Sequence, residues 1–221
     1  MSDDVASFVR TALGYEPRDP ALFGRALTHG SAARDSYERL EFLGDRVLGL
    51  VIARWLYDRF GSEPEGKLSP RFNALVARET CADVGRALGI PEHIRLGRQA
   101  REDRASDSDN VIGDVVESLI GALFLDGGLQ AAETFIRRHW EPLLDGQTRA
   151  PHHPKSALQE VAAARRLGVP AYEVVSRTGP HHAPRFTVRV SVRGGPEASA
   201  EGTSKQEAET AAAAALLEQL K

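Results

Sequence analysis

Apolar residues recur at helical spacing in Val5–Leu13, Ala21–Leu27, Arg39–Phe60, Leu75–Leu88, Val111–Leu125 and Leu129–Leu144. Steps of three and four residues place them on one face of a helix. Glycine and proline punctuate these stretches at Gly14, Pro17, Gly61, Pro64, Gly89-Ile90-Pro91 and Gly127-Gly128. No strong period-2 strand precedes residue 150. Gly146-Gln147-Thr148-Arg149-Ala150-Pro151-His152-His153-Pro154 then loses all periodicity and reads as a solvated linker. Beyond it the pattern changes. Lys155–Arg166 is helical and Ala171–Ser176 is strand-like. Arg185–Arg193 alternates polar and apolar positions without a break, as a half-buried strand does. Gly194-Gly195-Pro196 turns the chain and Pro196–Thr203 gives a third strand. An alanine-rich helix runs from Ser204 to Leu220, its start marked by the capping-box pair Ser204 and Glu207. The expected architecture is α+β in two domains. Residues 1–145 form an all-α domain, 146–154 a linker, and 155–221 a small α-β-β-β-α domain.

Composition changes this picture in one respect. The net charge of −3 is unremarkable, but it is unevenly spread. From Gly146 onward there are 10 basic and 7 acidic residues, net +3; before it there are 18 and 24, net −6. An acidic part that holds cations and a basic part that tolerates polyanions would show this split, as would ordinary solvated surfaces. No apolar run reaches the roughly 18 residues a membrane helix needs. The acidic start, Met1-Ser2-Asp3-Asp4, is unlike a secretory leader. The single cysteine, Cys81, suits a reducing cytoplasm.

The chemistry lies in carboxylates. At 100° per residue, Glu38, Glu41 and Asp45 fall within about 60° of each other on one helix. The rest of that helix is apolar almost all round, through Leu40, Phe42, Leu43, Val47, Leu50, Val51 and Trp55, so it belongs in an interior. Buried acids need compensation. Arg39 and Arg46 project roughly 100° away from them, which favours a metal ion, although pairing to arginines stays open. A second helix repeats the situation: Asp114 and Glu117 share a narrow polar stripe with Asn110 and Ser118. Two such helices meeting face to face would converge four acids on one point. An all-oxygen set suits Mg²⁺, with Mn²⁺ as a substitute, rather than zinc.

Glu38-Arg39-Leu40-Glu41-Phe42-Leu43-Gly44-Asp45 resembles the signature segment of bacterial ribonuclease III. Ala26-Leu27-Thr28-His29, Glu65-Gly66-Lys67-Leu68-Ser69, Gly113–Ala122 and Leu125-Asp126-Gly127-Gly128 agree in order, and the last domain resembles a double-stranded-RNA-binding domain. The resemblance implies Glu41, Asp45, Asp114 and Glu117 as metal-binding catalytic acids. It implies Glu38 and Glu65 as acids assisting in the same valley. It further implies a cytoplasmic homodimer that needs no organic cofactor and hydrolyses double-stranded RNA with Mg²⁺. Products would carry 5′-phosphates and short 3′ overhangs, with ribosomal-RNA precursors and other structured RNAs, including messenger RNA, as substrates. Tyr37 departs from the usual Asn, and Ser106-Asp107-Ser108-Asp109 is acidic where relatives are often basic. Cys81 and His29 are given no chemical role.

The small domain would read A-form RNA by shape, through 2′-hydroxyl and phosphate contacts. Residues matching the family's contact surfaces are Gln159 and Glu160 on the first helix, His181 in the loop Gly179-Pro180-His181, and Ser204 and Lys205 at the start of the last helix. Gln206 and Glu207 follow where relatives usually carry a second lysine, which should weaken phosphate binding. A catalytically silent RNA-binding protein would not need the four acids together. A phosphohydrolase of small nucleotides would not need the second domain.

Overall fold

The helical spacing is realised as a bundle built around two long helices. The computed structural model describes residues 2–147, 154–180 and 184–220. The chain divides into two compact units, Met1–Pro151 and His152–Lys221.

In the first unit, α1 (Ser2–Phe8) widens into a π turn and stops at Gly14, whose φ of 66° closes the helix in the left-handed region that glycine tolerates. α2 (Pro20–Ala26) starts at Asp19, whose carboxylate accepts from the Ala21 amide. α3 (Glu38–Arg59) and α7 (Asp109–Gly146) cross at the centre, with α4 (Glu65–Leu75), α5 (Arg78–Ala87) and the short α6 (Arg98–Glu102) around them. α7 is two helical limbs joined at Gly128, whose φ of 76° and ψ of −178° break the run. Phe23, Leu48, Ile52, Leu119, Ile120, Phe135 and Trp140 form the buried core.

Two helices are placed differently from the sequence expectation. The segment 65–75, with prolines on either side of its first turn, reads as punctuation but folds as α4. Its Phe72 ring packs against Gly49 of α3. Its Arg71 is almost wholly buried, forked to Glu63 by two 2.9 Å bonds, stacked over Phe60, and donating to the Gln147 carbonyl at 2.6 Å. The expected Leu75–Leu88 helix is instead interrupted at Val76-Ala77. There the Thr80 hydroxyl takes the Ala74 carbonyl and the Trp140 indole takes that of Leu75, so side chains satisfy the acceptors that end α4.

α3 differs in a second way. Phe42 and Leu50, expected inside, are 65% and 58% exposed. They lie on the face that α7 does not cover.

The crossing of α3 and α7 is made at backbone contact. A Cβ on Gly44 would lie 1.7 Å from the Glu117 carbonyl oxygen, and one on Gly121 would lie 2.3 Å from that of Leu40. Only glycine fits at either point.

In the second unit, α8 (Pro154–Ala164) and α9 (Lys205–Gln219) lie on an antiparallel sheet of order β1-β2-β3, with β1 Ala171–Thr178, β2 Arg185–Ser191 and β3 Glu197–Gly202. Leu158, Ala162, Val190, Ala212, Ala213 and Leu216 fill the space between. β1 runs two residues past the expected Ser176, with a register shift against β2 between Val174 and Ser176. Ser204 caps α9 by accepting from the Glu207 amide at 3.1 Å, and Glu207 reaches back to the Thr203 amide and hydroxyl.

Gly44→Ala should therefore destabilise the chain by at least the upper part of the about 1–3 kcal/mol that overpacking costs. Urea unfolding measures this, and a wild-type midpoint would mean that the helices separate freely.

Candidate active site

The glycine crossing sets the acids against one another. Glu41 lies one turn before Gly44 on α3; Asp114 and Glu117 lie on the first limb of α7, two turns and one turn before Gly121. Each of the three brings one carboxylate oxygen within 4.8 Å of the other two, and all three are half-buried. Asp45 stands outside that set and is bonded to Arg46. This corrects the expectation that Arg46 points away. Its Cα direction does, but the long side chain folds back over the preceding residue.

Burial and like charges raise the pKa values of the three acids together. Burial pushes Glu117 up to about 7, with Glu41 and Asp114 adding repulsion and Arg78 and Arg46 pulling back. Glu41 is raised by burial, then by Asp114 and Glu38. Asp114 is raised by burial, against the pull of Arg78, a hydrogen bond from Tyr37 and His29. That bond, from the Tyr37 hydroxyl to Oδ2 at 3.3 Å, is what the departure at position 37 does here. His29 packs edge-on against the Tyr37 ring.

The cluster's donors are carboxylate oxygens without nitrogen or sulfur, a set that fits a hard divalent cation. The crowding that raises Glu117 is what such a cation would relieve. Glu38 is exposed at the start of α3 and lines a cleft with Arg25, Arg39, Phe42 and Leu125. Glu65 is exposed on the first turn of α4 and accepts from the Ser69 hydroxyl at 2.5 Å. Neither joins the three-acid set. Sequence reasoning missed Arg78, the cation that acts on all three acids; a single arginine opening a helix carries no pattern to find it by.

In the second unit, Gln159 on α8 and Lys205 on α9 face one cleft, lined also by Lys155, Ser156, Gln206 and Glu209. Glu209 holds Lys155 at 2.6 Å and Lys205 at 3.8 Å. Lys155 and Glu209 were not singled out from sequence. Glu160 is exposed on the same helix. The Ser204 oxygen is engaged in the cap of α9. His181 and residues 148–153 of the expected linker lie outside the described residues.

Comparisons with known proteins agree with this division. A family model described as Ribonuclease-III-like matches residues 19–143, and one described as Double-stranded RNA binding motif matches residues 154–220. Ribonuclease 3 of Zymomonas mobilis subsp. mobilis is 59% identical over 217 residues, covering 98% of this chain and 88% of that protein. Ribonuclease 3 of Rhodopseudomonas palustris is 45% identical, covering 98% and 81%. The crystal structure of the nuclease domain of ribonuclease III from Campylobacter jejuni superposes with a TM-score of 0.60 at 33% identity, covering 62% of this chain and 94% of that one. A second structure of that domain, described as flexible in a region involved in dimer formation, has a TM-score of 0.58 at 32% identity, covering 61% and 97%.

The raised Glu117 gives a pH prediction. A carboxyl whose folded pKa is raised favours the folded state below its ordinary value of 4.5, and that contribution is lost as pH rises through about 7. In metal-free buffer, Glu117→Gln should match wild type near pH 4.5 and exceed it in stability above pH 7. Urea midpoints across that range check it; parallel curves would show that Glu117 holds no such proton.

Proposed function

The chain belongs to the ribonuclease III family and is an endoribonuclease, and we propose that it cuts double-stranded RNA by Mg²⁺-dependent hydrolysis at the acid cluster. The observation that carries this reading is the convergence of Glu41, Asp114 and Glu117 within 4.8 Å. These three would hold the cation, with Asp45 released from Arg46 to join them. Bound Mg²⁺, or Mn²⁺ in its place, would supply positive charge that polarises water and offsets charge building on the phosphate. The acids keep that charge fixed at the crossing, and Tyr37 orients the Asp114 carboxylate. Glu38 and Glu65 would line the approach. Water's oxygen joins phosphorus as the bond to the 3′-oxygen breaks, and that oxygen takes a proton. The products are a 5′-phosphate and a 3′-hydroxyl.

Residues 155–221 would hold the duplex through Gln159, Glu160, His181, Ser204 and Lys205, tethered by 146–154 to the cutting domain, 1–145. The exposed Phe42 and Leu50 support a homodimer joined through α3, with two sites staggering the cuts to leave short 3′ overhangs. No helix among the described residues is long and apolar enough to cross a membrane. We place the work in the cytoplasm, on ribosomal-RNA precursors and structured messenger RNAs.

On a long RNA duplex, wild type should cut only with Mg²⁺. Glu117→Gln should cut more than 100-fold more slowly, beyond the roughly 10–100-fold cost of losing a ligand's outer partner. Undiminished cutting by the variant would sink the assigned site. Wild type that never cuts would leave a binding protein.

In metal-free buffer, binding by the Glu117→Gln chain should weaken as salt rises, and adding Lys205→Ala should flatten the slope of log affinity against log salt by about 1. An unchanged slope would remove Lys205 from the phosphate contacts.

A further inference from the structure

The proposed hydrolysis leaves one charged side chain beside the acids without a task. Arg78 opens α5, and its stem lies over Gly113 of α7; a Cβ on that glycine would sit 3.2 Å from the Arg78 Cγ. Its Nη1 donates to the Asn110 Oδ1 at 3.0 Å, one turn before Asp114. Glu41, Asp114 and Glu117 all feel its charge, and it is the cation they have in common. Yet Arg78 is exposed and makes no ion pair within 4.0 Å among the described residues. A guanidinium carries five N–H donors in a planar fork, and Asn110, a neutral partner, takes one.

An arginine that served only to neutralise the acids would be drawn into contact with one of them. This one is engaged instead by a neutral side chain, Asn110, one turn before Asp114 on the helix that carries two of the acids. Three carboxylates repel a phosphodiester approaching the cluster, and a cation beside them counters the repulsion.

We propose that Arg78 is a further catalytic residue, which leaves Asn110 to bind a non-bridging oxygen of the phosphate being cut. The guanidinium fork matches phosphate oxygens two at a time, and an anionic acceptor replaces an uncharged one. This rests on the reading of the acid cluster as the cleavage centre.

The alternative, a permanent counter-charge, differs in its effect on cutting. In both cases removing Arg78 takes positive charge away from the site, so a divalent cation binds the ionised acids at least as tightly. Only the phosphate contact makes cutting slower at saturating metal. The test uses the full chain with Arg78→Ala and Arg78→Lys, single-turnover cutting of a long RNA duplex at saturating Mg²⁺, and calorimetric titration of Mn²⁺ without RNA. Arg78→Ala should cut about 10²–10³-fold more slowly, the cost of one lost donor to a developing oxyanion, with Mn²⁺ affinity equal or higher. Arg78→Lys keeps the charge without the fork and should recover part of the rate. Wild-type cutting by Arg78→Ala would overturn the proposal, as would slow cutting accompanied by weakened Mn²⁺ binding. Glu117→Gln in the same assay separates the two levels. If that variant cuts normally, the site itself is misassigned and the proposal falls with it. If it fails while Arg78→Ala cuts normally, only the role of Arg78 is lost.

Discussion

The site depends on how closely α3 and α7 approach. Packed helices ordinarily keep their axes about 8–10 Å apart because side chains stand between them. Here the backbones touch, Gly44 against the Glu117 carbonyl and Gly121 against that of Leu40. Residues within two turns of the contact are carried inward with it, and those residues are the acids. The glycines are therefore part of the carboxylate site although they bring no functional group to it.

That closeness has an electrostatic cost. Carboxylates half-buried together favour protons over charge, and the neighbours that the chain supplies, Arg78 and Arg46, do not return Glu117 to the ordinary carboxylate range. The remaining deficit is a driving force for taking up a cation. Anything that binds the folded chain alone also stabilises it, so cation binding and folding are coupled through the same contact.

Much of this was legible in the sequence because it is periodic or local. The helical stripes, the alternation of Arg185–Ser191 and the Ser204–Glu207 cap follow from spacing that no distant contact alters. What sequence reasoning missed depends on partners far along the chain. α4 contains Pro70 and is held by Arg71, which meets Gln147 from 76 positions away. The break before α5 is stabilised in part by Trp140. At the site, the convergence of Glu41 with Asp114 and Glu117 was readable from helix geometry, and the pull of Arg46 on Asp45 was not, since a Cα direction does not fix where a long side chain ends. Phe42 and Leu50 were expected inside because an apolar residue is silent on whether its cover comes from its own chain.

The first turns of α9 hold a different kind of balance. Glu207 is spent on the Thr203 amide and hydroxyl, and Glu209 occupies Lys155 and Lys205, the basic groups flanking the cleft beside Gln159. A phosphate arriving there would meet lysines that already share an anion, so part of each contact would be an exchange rather than a net gain. Differences of this sort among related interfaces fall mainly on the dissociation rate. A module built this way would grip more briefly, with Glu209 ready to take the lysines back as a cut duplex leaves.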